Sequence, residues 1–126
     1  MAVDGRVVSR IGPGVLVLLG VAEGDTATEA EKISRKLLRL RIFPDSEGRM
    51  SEALGDREIL CVSQFTLLGD TSKGNRPSFV SAARPDRAEP LYLDVCERTG
   101  AARGVFGADM EIEMTGDGPV TVLLEA

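Results

Sequence analysis

The chain has 126 residues, 43% of them hydrophobic and 28% charged, which suits one domain and is too short for two ordinary ones. It has no histidine and only Cys61 and Cys96, which excludes Ser-His-Asp and Cys-His nucleophile systems, His-ligated zinc and four-cysteine metal sites. Net charge is −5, which argues against a broadly nucleic-acid-binding surface. The balance is uneven, however: Glu29 to Arg41 carries five bases against two acids, and Ala101 to Ala126 one base against five acids.

Val3-Asp4-Gly5-Arg6-Val7-Val8 carries the Asp-Gly signal of a two-residue hairpin turn. Its first arm is short, with three residues before Asp4. Gly12-Pro13-Gly14 turns the chain into Val15–Leu19, the longest apolar run and read as a strand buried on both faces. That run falls far below the ~20 residues needed to span a bilayer, and no signal-peptide pattern opens the chain. With two cysteines and no disulfide framework, a reduced cytoplasmic setting is expected.

Thr26 and Thr28 each precede a glutamate by three residues, giving two alternative capping boxes for a helix that reaches about Leu40. Ala30, Ile33, Leu37 and Leu40 form its apolar stripe. Lys32, Arg35, Lys36 and Arg39 lie mostly off the stripe, as on a solvated face. Ile59 to Leu68 reads as a central strand, with Ile59, Cys61, Ser63, Phe65 and Leu67 on one side. A second helix is expected from Asp86 to about Arg98, Leu91 and Val95 facing inward. Pro90 fits only its first turn, which allows a start a few residues after Asp86. Met110, Ile112 and Met114 alternate with Asp109, Glu111 and Glu113 as in a strand wet on one face. After the turn Gly116-Asp117-Gly118-Pro119, Val120 to Leu124 returns as a last strand. The expected class is α+β, one domain over residues 1–126: a largely antiparallel sheet or barrel with two helices.

Ser63-Gln64-Phe65-Thr66 places polar side chains where an apolar strand meets a turn. Such a rim either marks the end of burial or binds a carbonyl or oxyanion through side chains and main-chain N–H groups. Thr66 is a nucleophile in principle, yet no base stands near it in sequence to activate it. Gly74-Asn75-Arg76-Pro77-Ser78-Phe79 is a basic, turn-rich loop, flanked by the exposed charges Asp70 and Lys73. Gly118-Pro119 alone is ordinary punctuation.

Taken in order, Ser63–Leu67, Lys73–Phe79, Phe106-Gly107-Ala108-Asp109-Met110 and Gly118-Pro119-Val120-Thr121 resemble the D-aminoacyl-tRNA deacylase family. Gly12–Gly14 with Leu16–Val21, Arg41-Ile42-Phe43 and Arg84–Glu89 are also similar to it. The resemblance implies hydrolysis of the ester between a D-amino acid and the terminal adenosine of tRNA, with no metal or other cofactor and no membrane partner. It implies a homodimer with sites at the subunit interface. Gln64, Phe65 and Thr66 would line the pocket of the scissile carbonyl beside Ser63, the Phe65 N–H facing the oxyanion. Phe106, Gly107 and Met110 match positions that hold the terminal adenine of the aminoacylated tRNA 3′ end. Gly118-Pro119 matches the element that the partner inserts to exclude L-amino acids.

Such a reaction tolerates the absence of histidine, because an aminoacyl ester is already activated and the ribose 2′-hydroxyl can assist water. Against the family pattern, the strand that precedes the short hairpin is missing, with its Gln-Arg-Val-like segment. Gly116 stands where an asparagine is usual, and the segment between Cys96 and Gly104 is a few residues shorter. Two rival functions are a deacylase for other mischarged tRNAs (glycine or L-alanine) and a non-catalytic tRNA-end-binding protein. Ser63–Thr66 favours the D-specific branch.

Overall fold

The computed structural model describes residues 1–126. Two short strands, β1 (Ala2–Val3) and β2 (Arg6–Val7), form the Asp-Gly hairpin, with Asp4 and Gly5 both at positive φ as a two-residue turn of this kind requires. The sheet that organises the molecule has three strands in the order β3 (Gly14–Leu19), β6 (Glu58–Ser63), β7 (Ala102–Arg103), and it is parallel throughout. This corrects the expected antiparallel sheet or barrel. Antiparallel strand pairs are limited to β1–β2 and to β4 (Phe43–Pro44) with β5 (Met50–Glu52), beside three isolated antiparallel bridges, and no barrel closes.

The physical reason lies in the two apolar runs. A parallel strand flanked by crossovers is covered on both faces, so it reads as continuous hydrophobic sequence rather than as an alternation. Ile59, Leu60, Cys61 and Val62 are all buried. Val15–Leu18 pair with them residue for residue, from Val15 opposite Ile59 to Leu18 opposite Val62. As an edge strand β3 is only half-buried, and Leu18 is exposed. Gly14 lets the backbones meet at the start of this pair: a Cβ there would fall 1.8 Å from the Glu58 carbonyl oxygen.

Helix α1 (Ala27–Arg39) begins at Thr26 with a complete capping box. Glu29 accepts from the Thr26 N–H at 2.7 Å, and Thr26 Oγ1 accepts from the Thr28 N–H at 3.3 Å. Of the two boxes legible in the sequence, the Thr26 one forms. Its stripe is as expected at Ala30, Ile33, Leu37 and Leu40, and Ser34 is buried beside it. Helix α2 (Pro85–Thr99) packs against α1 and β6. It starts at Pro85, so Pro90 falls in the second turn and not, as expected, in the first. The missing N–H is tolerated because Pro90 and Asp86 lie on the exposed face, which leaves the freed carbonyl open to solvent. Leu54, Ile59, Cys61, Tyr92 and Cys96 form the core, against which Val15, Val17, Leu37, Leu93 and Phe106 pack.

Three expected strands are shorter or absent. The central one stops at Ser63, and Phe65–Leu68 coils into a single 3-10 turn. The alternation at Met110–Met114 yields one antiparallel bridge, Ala2 with Glu111, and no strand. Val120–Leu124 pairs with nothing in the chain, leaving Val120, Val122 and Leu123 exposed. Neither helix is long and apolar enough to cross a membrane.

Candidate functional site

Parallel strands deliver their C-terminal ends to one edge of a sheet, and loops leaving that edge are the usual place for a site. Here β6 and β7 are neighbours, with Leu60 beside Ala102 and Cys61 beside Arg103. The segment Ser63–Thr66 and the loop Gly104–Met110 therefore leave the sheet at the same end.

The β6 exit is built by the sequence in three steps. The Gln64 N–H extends the ladder by one bond, to the Leu19 carbonyl at 2.7 Å. Gln64 then leaves the strand at φ −144°, ψ 77° and caps the 3-10 turn, whose Leu67 N–H returns to the Gln64 carbonyl at 3.2 Å. The N–H groups of Phe65 and Thr66, the first two of that turn, have no acceptor in the chain, as the opening donors of any helical turn lack one. Two main-chain donors thus stand free beside exposed side chains. Gln64 Nε2 donates to Thr66 Oγ1 at 2.6 Å. The threonine hydroxyl meets an amide donor, and no carboxylate or amine hydrogen-bonds it.

Phe65 is 58% exposed, a large ring held over the turn rather than in the core. It is positioned by Phe79, edge to face with ring centroids 5.1 Å apart and planes at 70°. Phe79 ends the Gly74–Phe79 loop. Asp70 and Ser78 close this loop by exchanging two backbone hydrogen bonds of 2.8 Å. The Ser72 hydroxyl and N–H hold the Asp70 carboxyl below the usual range. Phe79 was not legible as a site residue from its own segment. Its only signal was an aromatic in an otherwise polar loop.

On the neighbouring loop, Phe106 is half-buried and tilted on Tyr92, with centroids 6.0 Å apart. It borders an open cleft of about 460 Å³ together with Tyr92, Val8, Glu89 and Arg103. Met110 is tucked beneath, its Sδ against Gly104 so closely that a Cβ on that glycine would sit 2.7 Å away. Gly107 is exposed at the turn, with φ +77°. A buried side chain braces the start of this loop against β6, beside a direct bond from the Gly104 N–H to the Cys61 carbonyl. Tyr92 Oη donates to the Cys61 carbonyl at 2.7 Å and accepts from the Gly104 N–H at 3.0 Å. Tyr92 was not singled out in the sequence, because a lone aromatic on a helix reads as ordinary core. Beneath it, the hydrogen bond with Cys96 and then burial raise the Cys61 thiol above its usual range, so it stays protonated and inert.

Gly118 and Pro119 are exposed, joined by a cis peptide bond. No hydrogen bond links them to the β6 turn of their own chain. Ser63, Gln64, Phe65 and Thr66 thus gather at one strand end and Phe106, Gly107 and Met110 on the adjacent loop, while Gly118-Pro119 stands apart. No three Cys, Asp or Glu side chains converge as metal ligands.

Residues 1–125 match the family model for D-Tyr-tRNA(Tyr) deacylase. Among curated relatives, a D-aminoacyl-tRNA deacylase of Dehalococcoides mccartyi (strain CBDB1) is 52% identical over 98% of this chain and 86% of its own length. That of Magnetococcus marinus is 48% identical over 99% of this chain and 88% of its own length. That of Clostridium acetobutylicum is 44% identical over 98% and 88%. The solved structure of c-Myc DNA Unwinding Element Binding Protein superposes with a TM-score of 0.92 at 41% identity, covering 99% of this chain and 90% of that one. A probable eukaryotic D-amino acid tRNA deacylase shares the fold at a TM-score of 0.61 and 24% identity, over 71% of this chain and 54% of that one.

Proposed function

The chain belongs to the D-Tyr-tRNA(Tyr) deacylase family, and we propose that it hydrolyses the ester bond of D-aminoacyl-tRNA to free tRNA and a D-amino acid. The observation that carries this reading is the pair of free N–H groups of Phe65 and Thr66 at an exposed, polar strand end. Water adds to the ester carbonyl carbon, and the resulting oxyanion is met by these preorganised donors. Collapse expels the ribose oxygen, which takes up the proton that water gave up. Donors fixed by the 3-10 turn need no reorganisation as charge develops, and each such donor is typically worth ~3–4 kcal/mol of barrier. The adjacent 2′-hydroxyl supplies the proton relay that a histidine would otherwise provide. Gln64 and Thr66 hold the pocket in shape through their mutual hydrogen bond, and Ser63 borders it.

Phe106, Gly107 and Met110 receive the terminal adenine, with the half-buried Phe106 ring as the stacking surface. A single-stranded end recognised in this way needs no extensive basic footprint, consistent with a net charge of −5. The protein acts as a homodimer in the cytoplasm, each subunit's Gly118-Pro119 reaching the partner's pocket. Exposure of Phe65, Leu67, Val120, Val122 and Leu123 on one chain supports this assembly. So does a C-terminal segment, Val120–Leu124, without a pairing partner of its own. Exclusion of L-amino acids follows from main chain that cannot move aside, at a glycine with φ +114°.

The test is a panel of D-aminoacyl-, L-alanyl- and glycyl-tRNA with light scattering at the assay concentration. Turnover of the D-esters by a dimer is expected. Preference for the glycyl or L-alanyl ester would move the assignment to the neighbouring specificity, and binding without turnover would make the chain a tRNA-end-binding protein.

A further inference from the structure

On α1, Lys32, Arg35, Lys36 and Arg39, with Arg41 just beyond the helix, line one open cleft of about 610 Å³, where Glu125 is the acidic side chain. In a chain with 15 bases and 20 acids, five cations around one groove are a concentration that the overall charge hides. Most of their charge is not spent within the fold. Arg35 meets Glu31 at 3.5 Å, a solvent-exposed pair. Arg41 Nε donates to the Ser51 carbonyl at 2.6 Å, which orients the side chain without neutralising it. Lys32, Lys36 and Arg39 form no ion pair.

The spacing suits a linear polyanion. Residues at i, i+3, i+4 and i+7 from Lys32 fall along one face of a helix, so the charges form a stripe rather than a point. The helix that carries the stripe also starts at the pocket end of the sheet, and its cations begin one turn further on, at Lys32. The chain ahead of α1 is tied to the catalytic end of the sheet, the Glu23 N–H bonding the Ser81 carbonyl at 2.8 Å and the Ala83 N–H the Val21 carbonyl at 2.9 Å. From there the 13 residues of α1 run ~20 Å. A tRNA whose terminal ester lies at the Gln64–Thr66 turn carries its first base pairs off by its unpaired 3′ end, so any contact with duplex phosphates falls on a surface displaced from the pocket.

We propose that the α1 cleft binds the phosphate backbone of the tRNA acceptor duplex, a docking surface separate from the pocket that holds the terminal adenosine. This rests on the deacylase reading for the identity of the RNA. Phosphate contacts position a nucleic acid without reading its sequence, which suits a protein acting on many tRNAs. Each contact also releases counterions, so affinity falls with salt in proportion to the number of contacts.

The experiment compares the unmodified protein, a cleft variant (Lys32→Ala, Lys36→Ala, Arg39→Ala) and a variant with the same net charge altered elsewhere (Arg6→Ala, Arg49→Ala, Arg98→Ala). Alanine is the best helix former, so α1 is retained, and circular dichroism checks it. Binding of deacylated tRNA, an acceptor minihelix and a single-stranded CCA oligonucleotide is measured across a salt series. The cleft variant is expected to bind tRNA and minihelix at least 10-fold more weakly, with a log K against log salt slope shallower by ~2–3. The charge-matched variant is expected to stay within about 3-fold. Equal loss in both variants, unchanged slope in the cleft variant, or equal loss for the single-stranded oligonucleotide would each overturn the proposal. Because the RNA carries no ester, failure of the deacylase reading in a turnover assay is a separate result.

Discussion

Tyr92→Phe removes one oxygen atom and tests how the Gly104–Met110 loop is held to the central strand. Tyr92 is 1% exposed, so no water replaces the lost hydroxyl without rearrangement. Two groups lose a partner: the Cys61 carbonyl, which accepted at 2.7 Å, and the Gly104 N–H, which donated at 3.0 Å. They do not lose everything, because the Gly104 N–H also reaches the Cys61 carbonyl directly at 3.2 Å. An orphaned buried polar group costs ~1–3 kcal/mol, and the surviving direct bond places this substitution at ~1–2 kcal/mol. For a domain of this size that corresponds to a fall in Tm of roughly 3–10 °C. Equilibrium urea unfolding reads the loss as a lower midpoint at unchanged slope. The loop bearing Phe106 keeps the direct Gly104–Cys61 bond but loses the Tyr92 brace, so KM for D-aminoacyl-tRNA should rise more than kcat falls. A variant as stable as the unmodified protein would refute the bridging role. So would a loss as large as that of Tyr92→Ala, since the ring packing and not the hydroxyl would then be the anchor.

Thr66→Ala should retain measurable hydrolysis, within about 100-fold, since the hydroxyl meets only the Gln64 amide; a trapped aminoacyl-Thr66 ester would contradict this. Gly118→Ala puts a side chain at φ +114° and within 3.3 Å of the Val120 nitrogen, strain of ~1–3 kcal/mol. It should lower the D-over-L ratio or abolish activity, and matched ester hydrolysis at full D preference would refute the reading. Asp45 accepts from the Ser51 hydroxyl and from the Arg49 and Glu47 N–H groups, which hold its carboxyl below the ordinary 3.8. Just below 3.8 the unfolded chain binds more protons than the folded one, so the contribution is present above that pH and lost as pH falls through the lowered value. Protection of the Glu47 and Arg49 amides, taken relative to their intrinsic exchange rates at each pH, should fall in that acid window, and an Asp45→Asn variant should lose the transition.

What the sequence made legible is local. The Asp-Gly hairpin, the Thr26 capping box, the α1 stripe and the exit of polar residues after Val62 depend on neighbours along the chain, and each is where its pattern puts it. The parallel sheet was legible in principle, since Ile59–Val62 is uninterruptedly apolar. Extending the alternation through Leu68 hid that signal behind the 3-10 turn, which begins because Gln64 takes the last ladder bond. Met110–Met114 and Val120–Leu124 have strand-like patterns without strand partners in one chain. Pattern reports which face wants burial, and it does not supply the surface that buries it. At the candidate site the residue types were legible. The free Phe65 and Thr66 N–H groups were not, because they follow from a 3-10 turn that the strand-like alternation conceals; the ring of Phe79 behind Phe65 and the Tyr92 bridge were not, because each is a contact across many residues.

The hydrolase we propose uses main-chain donors and excludes L-esters by main-chain bulk. Single-turnover hydrolysis of one tRNA carrying the D- or the L-form of the same amino acid is the decisive assay, with the protein in excess over substrate. The expected result is release of the D-amino acid and a preference over the L-ester of at least ~100-fold, the ~2.7 kcal/mol of one prohibitive contact in the transition state. Equal rates for the two esters, or no release above the uncatalysed rate of the D-ester, would contradict it.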